Sequence, residues 1–229
     1  MEEHFKFHKD FSGEEYAMLG GLRPPLDIEV TPLMFLGNAV ENWNSLEMMN
    51  SKNNWVNFRT GNFSMKRSFL GNLRFDEKIF SASGFEDTEL GFRLGRKGMK
   101  IVFVESAFSY HYHFRNPQQY MNKVVNYGRS FSRWIKICDP QVRKELNDLY
   151  NCLIDREHLF SGKNFKEIIR RFCINNLTVP VIIFLAGILE KIDAKRSLFF
   201  YNKLYKYLFL KGYRKGMSQK RDLTRIQPQ

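Results

Sequence analysis

Residues 84–98 read GFEDTELGFRLGRKG, and the organisation of the chain turns on how they are read. Two acids stand side by side, a basic helical pattern follows, and a glycine closes it. The pattern predicts a helix over 86–97 with Glu86 and Asp87 in its first turn, where carboxylates favour the positive end of the helix dipole. Glu89 lies four residues before Arg93, and Gly98 stands where glycine ends helices. An acid pair at a helix start is common on plain surfaces, so its surroundings must decide its meaning. Gly84 precedes the pair and removes side-chain bulk, leaving room for another molecule to approach the backbone.

Working outward, KIVFVES (100–106) reads as a buried strand from its run of β-branched and aromatic residues, and it leads into AFSYHYH (107–113). Upstream, WVNFRTGNFSMKR (55–67) reads as a strand, a turn at Gly61-Asn62 and a second short strand, and LRFDEKIF (73–80) as a loop carrying aromatics. A helix followed by a strand returns the chain towards the acids. That places an imidazole, from His111 or His113, near a carboxylate suited to general-base work, and imidazole is a good ligand for divalent metals. The plainer reading of both histidines is a pair of rim residues between aromatics.

From about 117 the pattern becomes helical. A long helix is expected to open at Asn116-Pro117, with Asn as N-cap and Pro at the first position, and further helices are expected at 139–157, 163–175, 178–192 and 194–211. The expected division is therefore 1–116, mixed α and β, and 117–229, a basic helical region. Charge follows it. Residues 151–229 hold 16 Lys and Arg against 6 Asp and Glu, whereas residues 1–150 hold 20 against 18, within a net charge of +12. The apolar run from Leu177 to Leu189 contains Pro180 and Gly187 and falls short of the roughly 20 residues that span a bilayer. Phe, Leu and Tyr alternate with Lys and Arg in SLFFYNKLYKYLFLKGYRKG (197–216) without a nucleic-acid motif. Contact of 178–216 with a membrane surface is expected, with a helical subdomain that packs on the first region and presents a solvated basic face as the alternative; a nucleic-acid partner is not expected. Three cysteines without C-x-x-C spacing fit a reducing compartment, and the mostly charged or polar MEEHFKFHKD is no signal peptide, so the expected location is cytoplasmic, at the inner face of a membrane.

In order, Gly61-Asn62, Phe75-Asp76-Glu77, Glu86-Asp87, Arg93-Leu94 with Gly98, and Tyr110-His111 resemble the C-terminal half of the catalytic domain of family 2 glycosyltransferases, of the galactosyltransferase and chondroitin-polymerase-like type. The resemblance covers roughly residues 1–115 and implies a GT-A type α/β fold. It further implies an inverting transfer of sugar from a nucleotide-sugar donor, a UDP-sugar, to a glycan or lipid-linked acceptor in surface polysaccharide synthesis. On the same resemblance Asp87 would be the catalytic base, Glu86, Gly84 and Asn62 would bind the acceptor, and His111 would ligate Mn²⁺ or Mg²⁺. The family's nucleotide-binding half, which ends in Asp-x-Asp, has no counterpart in these residues. Asp27-Ile28-Glu29 has an acidic-x-acidic spacing but follows Pro24-Pro25 in a loop and is no replacement. The expectation is an acceptor-side half with little activity alone, served by a separate N-terminal half. A non-catalytic glycan- or membrane-binding partner, or a degenerate remnant, is the alternative.

Overall fold

The computed structural model of the chain describes residues 1–27, 31, 54–80, 84–111, 117–150, 153 and 174–219. Among them the order of elements is α1 (Glu2–Asp10), β1 (Tyr16–Arg23), two 3₁₀ turns (Asn54–Asn57 and Thr60–Asn62), β2 (Phe63–Met65), α2 (Arg67–Leu70), α3 (Glu86–Arg96), β3 (Lys100–Tyr110), α4 (Pro117–Ile137), α5 (Pro140–Leu149), α6 (Val179–Glu190) and α7 (Ala194–Ser218). The class is mixed α/β, helix-rich, with one small mixed sheet in the order β2-β1-β3. β1 runs antiparallel to β2, pairing Ala17 with Met65, and parallel to β3, pairing Ala17 with Ile101.

β1 is central and is covered on both faces. Met18 packs with Phe7 of α1 and Ala107 of β3, while Ala17 and Leu19 join the main core on the opposite face, as alternation along a strand requires. The β1–β3 ladder is interrupted. Gly20 pairs with Val104 but Leu22 pairs with Ser109, so β3 advances five residues while β1 advances two. Such a break leaves backbone groups that must find other partners.

The helices obey local rules. Asp139 caps α5, its carboxylate accepting from the amides of Gln141 at 2.9 Å and Val142 at 3.0 Å, with Pro140 at the first helical position. Asp193 caps α7 through the Arg196 amide at 3.1 Å. α4 and α7 lie backbone to backbone. A Cβ on Gly128 would fall inside the van der Waals radius of the Phe209 carbonyl and 2.7 Å from the Tyr213 nitrogen; one on Gly212 would collide with the Val125 carbonyl. Phe131, Phe209, Val124 and Leu204 are buried around this contact.

A single apolar core crosses the 116/117 boundary. Trp55 stands edge-on to Phe92 at 5.1 Å, Phe92 faces Trp134 of α4 at 6.0 Å, and Phe85 touches Phe131 of α4 at 4.9 Å. The helical region is thus packed against the segment that carries the acid pair.

Several sequence expectations change. The strand expected over the first part of 55–67 is instead the 3₁₀ turn Asn54–Asn57, because this segment tucks under α3. A Cβ on Gly91 would lie 2.5 Å from the Phe58 Cβ, and one on Gly95 would lie 2.9 Å from the Trp55 Cβ. β3 continues to Tyr110 and only Ile101 and Ala107 along it are buried, since β1 is its sole strand neighbour among the described residues. α5 ends at Leu149, where Tyr150 turns out to meet Phe85, and α7 runs to Ser218. The Asn116 cap, the 163–173 stretch, His113, Ile28 and Glu29 lie outside the described residues.

Two glycine substitutions test the packing by their opposite signs. Gly187→Ala in α6, where an added Cβ meets nothing within 4 Å, should stabilise by about 0.5–1 kcal/mol through helix propensity. Gly212→Ala should destabilise by about 1–3 kcal/mol through overpacking. Urea unfolding of the two variants beside the wild type measures both.

Candidate functional site

The acid pair begins a helix in an unusual way. Gly84 has φ +129° and Phe85 has φ 70°, the only positive φ outside glycine among the described residues. A bulky residue in the left-handed region carries strain of about 1–3 kcal/mol and persists only where its surroundings hold it. Four rings hold Phe85: Phe131 at 4.9 Å, Tyr150 at 5.3 Å, Phe209 at 6.0 Å and Trp134 at 6.5 Å. Glu86 folds back so that its carboxylate accepts from the Gly84 amide. The space beside Gly84 is filled by Tyr127 of α4, whose ring a Cβ would strike, so the room read from the sequence is taken by the chain itself.

Asp87, next in line, faces Thr60. Its Oδ2 accepts from the Thr60 amide at 3.4 Å and from the Thr60 hydroxyl at 3.3 Å. Burial raises its pKa above the ordinary carboxylate value, helped by the charge of Glu86, while the Thr60 bonds and the Arg59 cation oppose the rise. The helix start alone favours an ionised acid, but desolvation outweighs it here.

Arg59 keeps exposed surface and lines a small cavity with Leu22, Asn62 and Phe103. Burial lowers its pKa to about 10, opposed by Tyr150, Asp87, Tyr205 and Tyr127 around it. Burial likewise pushes the Tyr150 phenol up to about 12, against Arg59 and a hydrogen bond with Thr88, and raises Tyr205. An acid, a guanidinium and three phenols from α3, the 59–60 corner, α4, α7 and the end of α5 therefore converge. No sequence motif marked Arg59 or these tyrosines, since they come from four separated segments.

On the other side of Thr60 an open groove of about 530 Å³ is lined by His4 and His8 of α1, Thr60, Gly61, Asn62 and Ser64. A hydrogen-bond chain runs along it, and its proton order can be deduced. The Asn62 amide nitrogen donates to the Gly21 carbonyl at 2.9 Å and the Ala107 carbonyl at 2.8 Å, inside the break of the β1–β3 ladder. Its oxygen must then accept from His4 Nε2 at 2.9 Å, which leaves neutral His4 Nδ1 to accept from the Ser64 hydroxyl at 2.7 Å. Ser64 in turn accepts from His8 Nε2 at 3.0 Å. His8 Nδ1 ends the chain, buried without a hydrogen bond, and burial followed by the Lys66 charge lowers the His8 pKa. Asn62, expected to meet an acceptor, is engaged with backbone and His4.

His111 closes the sheet, its amide donating to the Arg23 carbonyl at 2.9 Å. Among the described residues no three His, Cys, Asp or Glu side chains converge as metal ligands. They do not by themselves fit a Mn²⁺ or Mg²⁺ site, and no chemical step is derived through one.

No protein-family model, no curated protein and no solved structure matches the chain.

Two variants separate site from scaffold. Asp87 is raised on folding, so its ionisation removes stability as pH rises from the unfolded value of 3.8 through the folded one, and the loss persists at neutral pH. Asp87→Asn should therefore melt higher than wild type at pH 7, with the gap closing as pH falls below that window. Asn62→Asp should destabilise more than Asn62→Ala, because a carboxylate would face the Gly21 and Ala107 carbonyls; a purely ligand-contacting Asn62 would show no such order in urea unfolding.

Proposed function

We propose that this chain carries the acceptor side of an inverting glycosyltransferase of GT-A type and family 2 character. The observation that carries the reading is Asp87: a desolvated carboxylate in the first turn of α3, held by Thr60 and close to the Arg59 cation, where Thr60 lines an open groove. A carboxylate raised above its ordinary pKa is a stronger base than one in water, and a half-buried one is shielded from competing solvent.

In this mechanism the Asp87 carboxylate takes the proton of an acceptor hydroxyl while that oxygen attacks the anomeric carbon of the donor sugar. The new C–O bond forms as the bond from the anomeric carbon to the nucleoside diphosphate breaks, and the diphosphate leaves with the electron pair. One displacement inverts the anomeric centre. Arg59 lowers the cost of the Asp87 charge before the proton arrives. Tyr127, Tyr150 and Tyr205, packed against the core, shape the surroundings of Arg59. Glu86, tied to Gly84, sets the helix start and stands next to the base for acceptor contact. A UDP-sugar is the proposed donor, bound mainly by a donor half outside these residues, which would bring the Asp-x-Asp. A divalent cation would have to take most of its ligands from that half, His111 offering one. The proposed place of action is the cytoplasmic face of a membrane, in surface polysaccharide synthesis.

A second reading, a non-catalytic binding partner, is favoured by the exposed apolar face of α6. The two part at Asp87. In a protein joining residues 1–229 to a donor half, Asp87→Asn should lower nucleoside diphosphate release about 10²- to 10⁴-fold, the range of a lost general base. Turnover equal to wild type would refute Asp87 as the base. Calorimetric titration of the chain with UDP and UDP-sugars, with and without Mn²⁺, gives the complementary result: tight metal-dependent binding without a donor half would show that the donor site is built here.

A further inference from the structure

α6 is apolar on every side, yet only part of it is covered. Ala186 is buried and Val179, Ile182 and Ile183 pack against the core. The opposite side is open. Leu177 is 86% exposed, Val181 56%, Phe184 68% and Ile192 75%, with Leu185 and Ile188 exposed between them. Positions 181, 184, 185 and 188 follow the i, i+3, i+4, i+7 spacing of one helix face, and Leu177 and Ile192 extend this exposed apolar stripe on the flanking turns. Beyond the turn, Phe199 and Phe200 of α7 extend the exposed apolar set at that end of the hairpin. An apolar surface of this length in contact with water is costly and marks an interaction face.

The charges identify the occupant. Between 191 and 203 the sequence has Lys191, Lys195, Arg196 and Lys203 against one acid, Asp193, and residues 174–219 hold eight Lys and Arg against two Asp and Glu. Lys191, Lys195 and Arg196 are exposed, and the Lys203 ammonium lies 5.1 Å from the centre of the Phe199 ring. A second copy of the chain would bring like charges to the rim of the same patch, which disfavours self-association. An anionic bilayer satisfies both features, taking the stripe among its acyl chains and the cations among its headgroups. No helix among the described residues is long and apolar enough to cross a membrane, and a twelve-residue helix lying flat needs no such length.

We infer that the α6–α7 hairpin is a membrane-docking surface, which seats the stripe from Leu177 to Ile192 in the interface of an anionic bilayer and holds it with the basic cluster at 191–203. The inference stands on the hairpin alone and is independent of the chemistry assigned to Asp87.

Flotation of the full chain with vesicles tests it, comparing phosphatidylcholine containing 30 mol% phosphatidylglycerol (composition chosen roughly to match an anionic leaflet) with phosphatidylcholine alone. Binding to the anionic vesicles, weakened by salt, is expected. Phe184→Asp with Ile188→Asp should weaken partitioning by about tenfold or more, as should Lys195→Glu with Lys203→Glu. Both pairs sit away from the buried core, and unchanged melting temperatures would confirm that they fold. Absence of binding to anionic vesicles at low salt would overturn the inference. So would undiminished binding by the Phe184/Ile188 variant, or a wild-type dimer that this variant dissolves, since the face would then be covered by a second copy.

Discussion

The candidate site depends on one wedge. Phe85 occupies a left-handed backbone conformation immediately before Glu86 and Asp87, and its ring is gripped by Phe131, Trp134, Tyr150 and Phe209. All four partners belong to the helical region. The carboxylates are on α3, but their direction is set by α4, α7 and the residue that follows α5. A bulky side chain with positive φ relaxes unless packing prevents it. The helical region from 117 onward is therefore a brace for the acid pair as well as an outer surface.

A second constraint lies at the sheet. Where β1 and β3 fall out of register, the Asn62 side chain supplies the donors the ladder lacks, to Gly21 and Ala107. The close approach requires Gly20 to be without a side chain, for a Cβ there would strike the Ala107 carbonyl and the Asn62 amide. The Gly61-Asn62 corner is thereby fixed, and with it Thr60, the residue that holds Asp87. Sheet, corner and acid form one chain of position: the break in β1–β3 sets Asn62, Asn62 sets Thr60, and Thr60 meets the carboxylate that Phe85 delivers from the other side.

What could be read from the sequence followed from local rules. The helix at 86–96, its Glu89–Arg93 pair at 2.7 Å, the glycine at 98 and the helices at 179–190 and from 194 all rest on periodicity and end signals within a few residues. The 3₁₀ turn at Asn54–Asn57 did not, because Trp55 and Phe58 have strand-like character and turn only to bury under Gly91 and Gly95, more than 30 residues ahead. Asp87 and Glu86 stood out by adjacency and Asn62 by its motif. Arg59, Tyr127, Tyr150 and Tyr205 stood out by nothing, since only the tertiary fold gathers them. The role of Gly84 was half legible: a missing side chain was plainly needed, but the ring that needs the space belongs to Tyr127.

Three unfavourable features coincide at this one place. Phe85 is strained, Asp87 is a carboxylate drawn out of water, and the Arg59 cation stands near the Tyr150 and Tyr205 phenols, which burial keeps protonated. A surface helix that begins with two acids needs none of them; hydrated carboxylates would gain the dipole's favour without desolvation. The fold accepts these costs and offsets them with a contiguous aromatic core from Trp55 to Phe209. Strain at Phe85 and desolvation at Asp87, beside an open groove that begins at Thr60, are costs that a solvated helix start avoids, and such costs gather at functional sites.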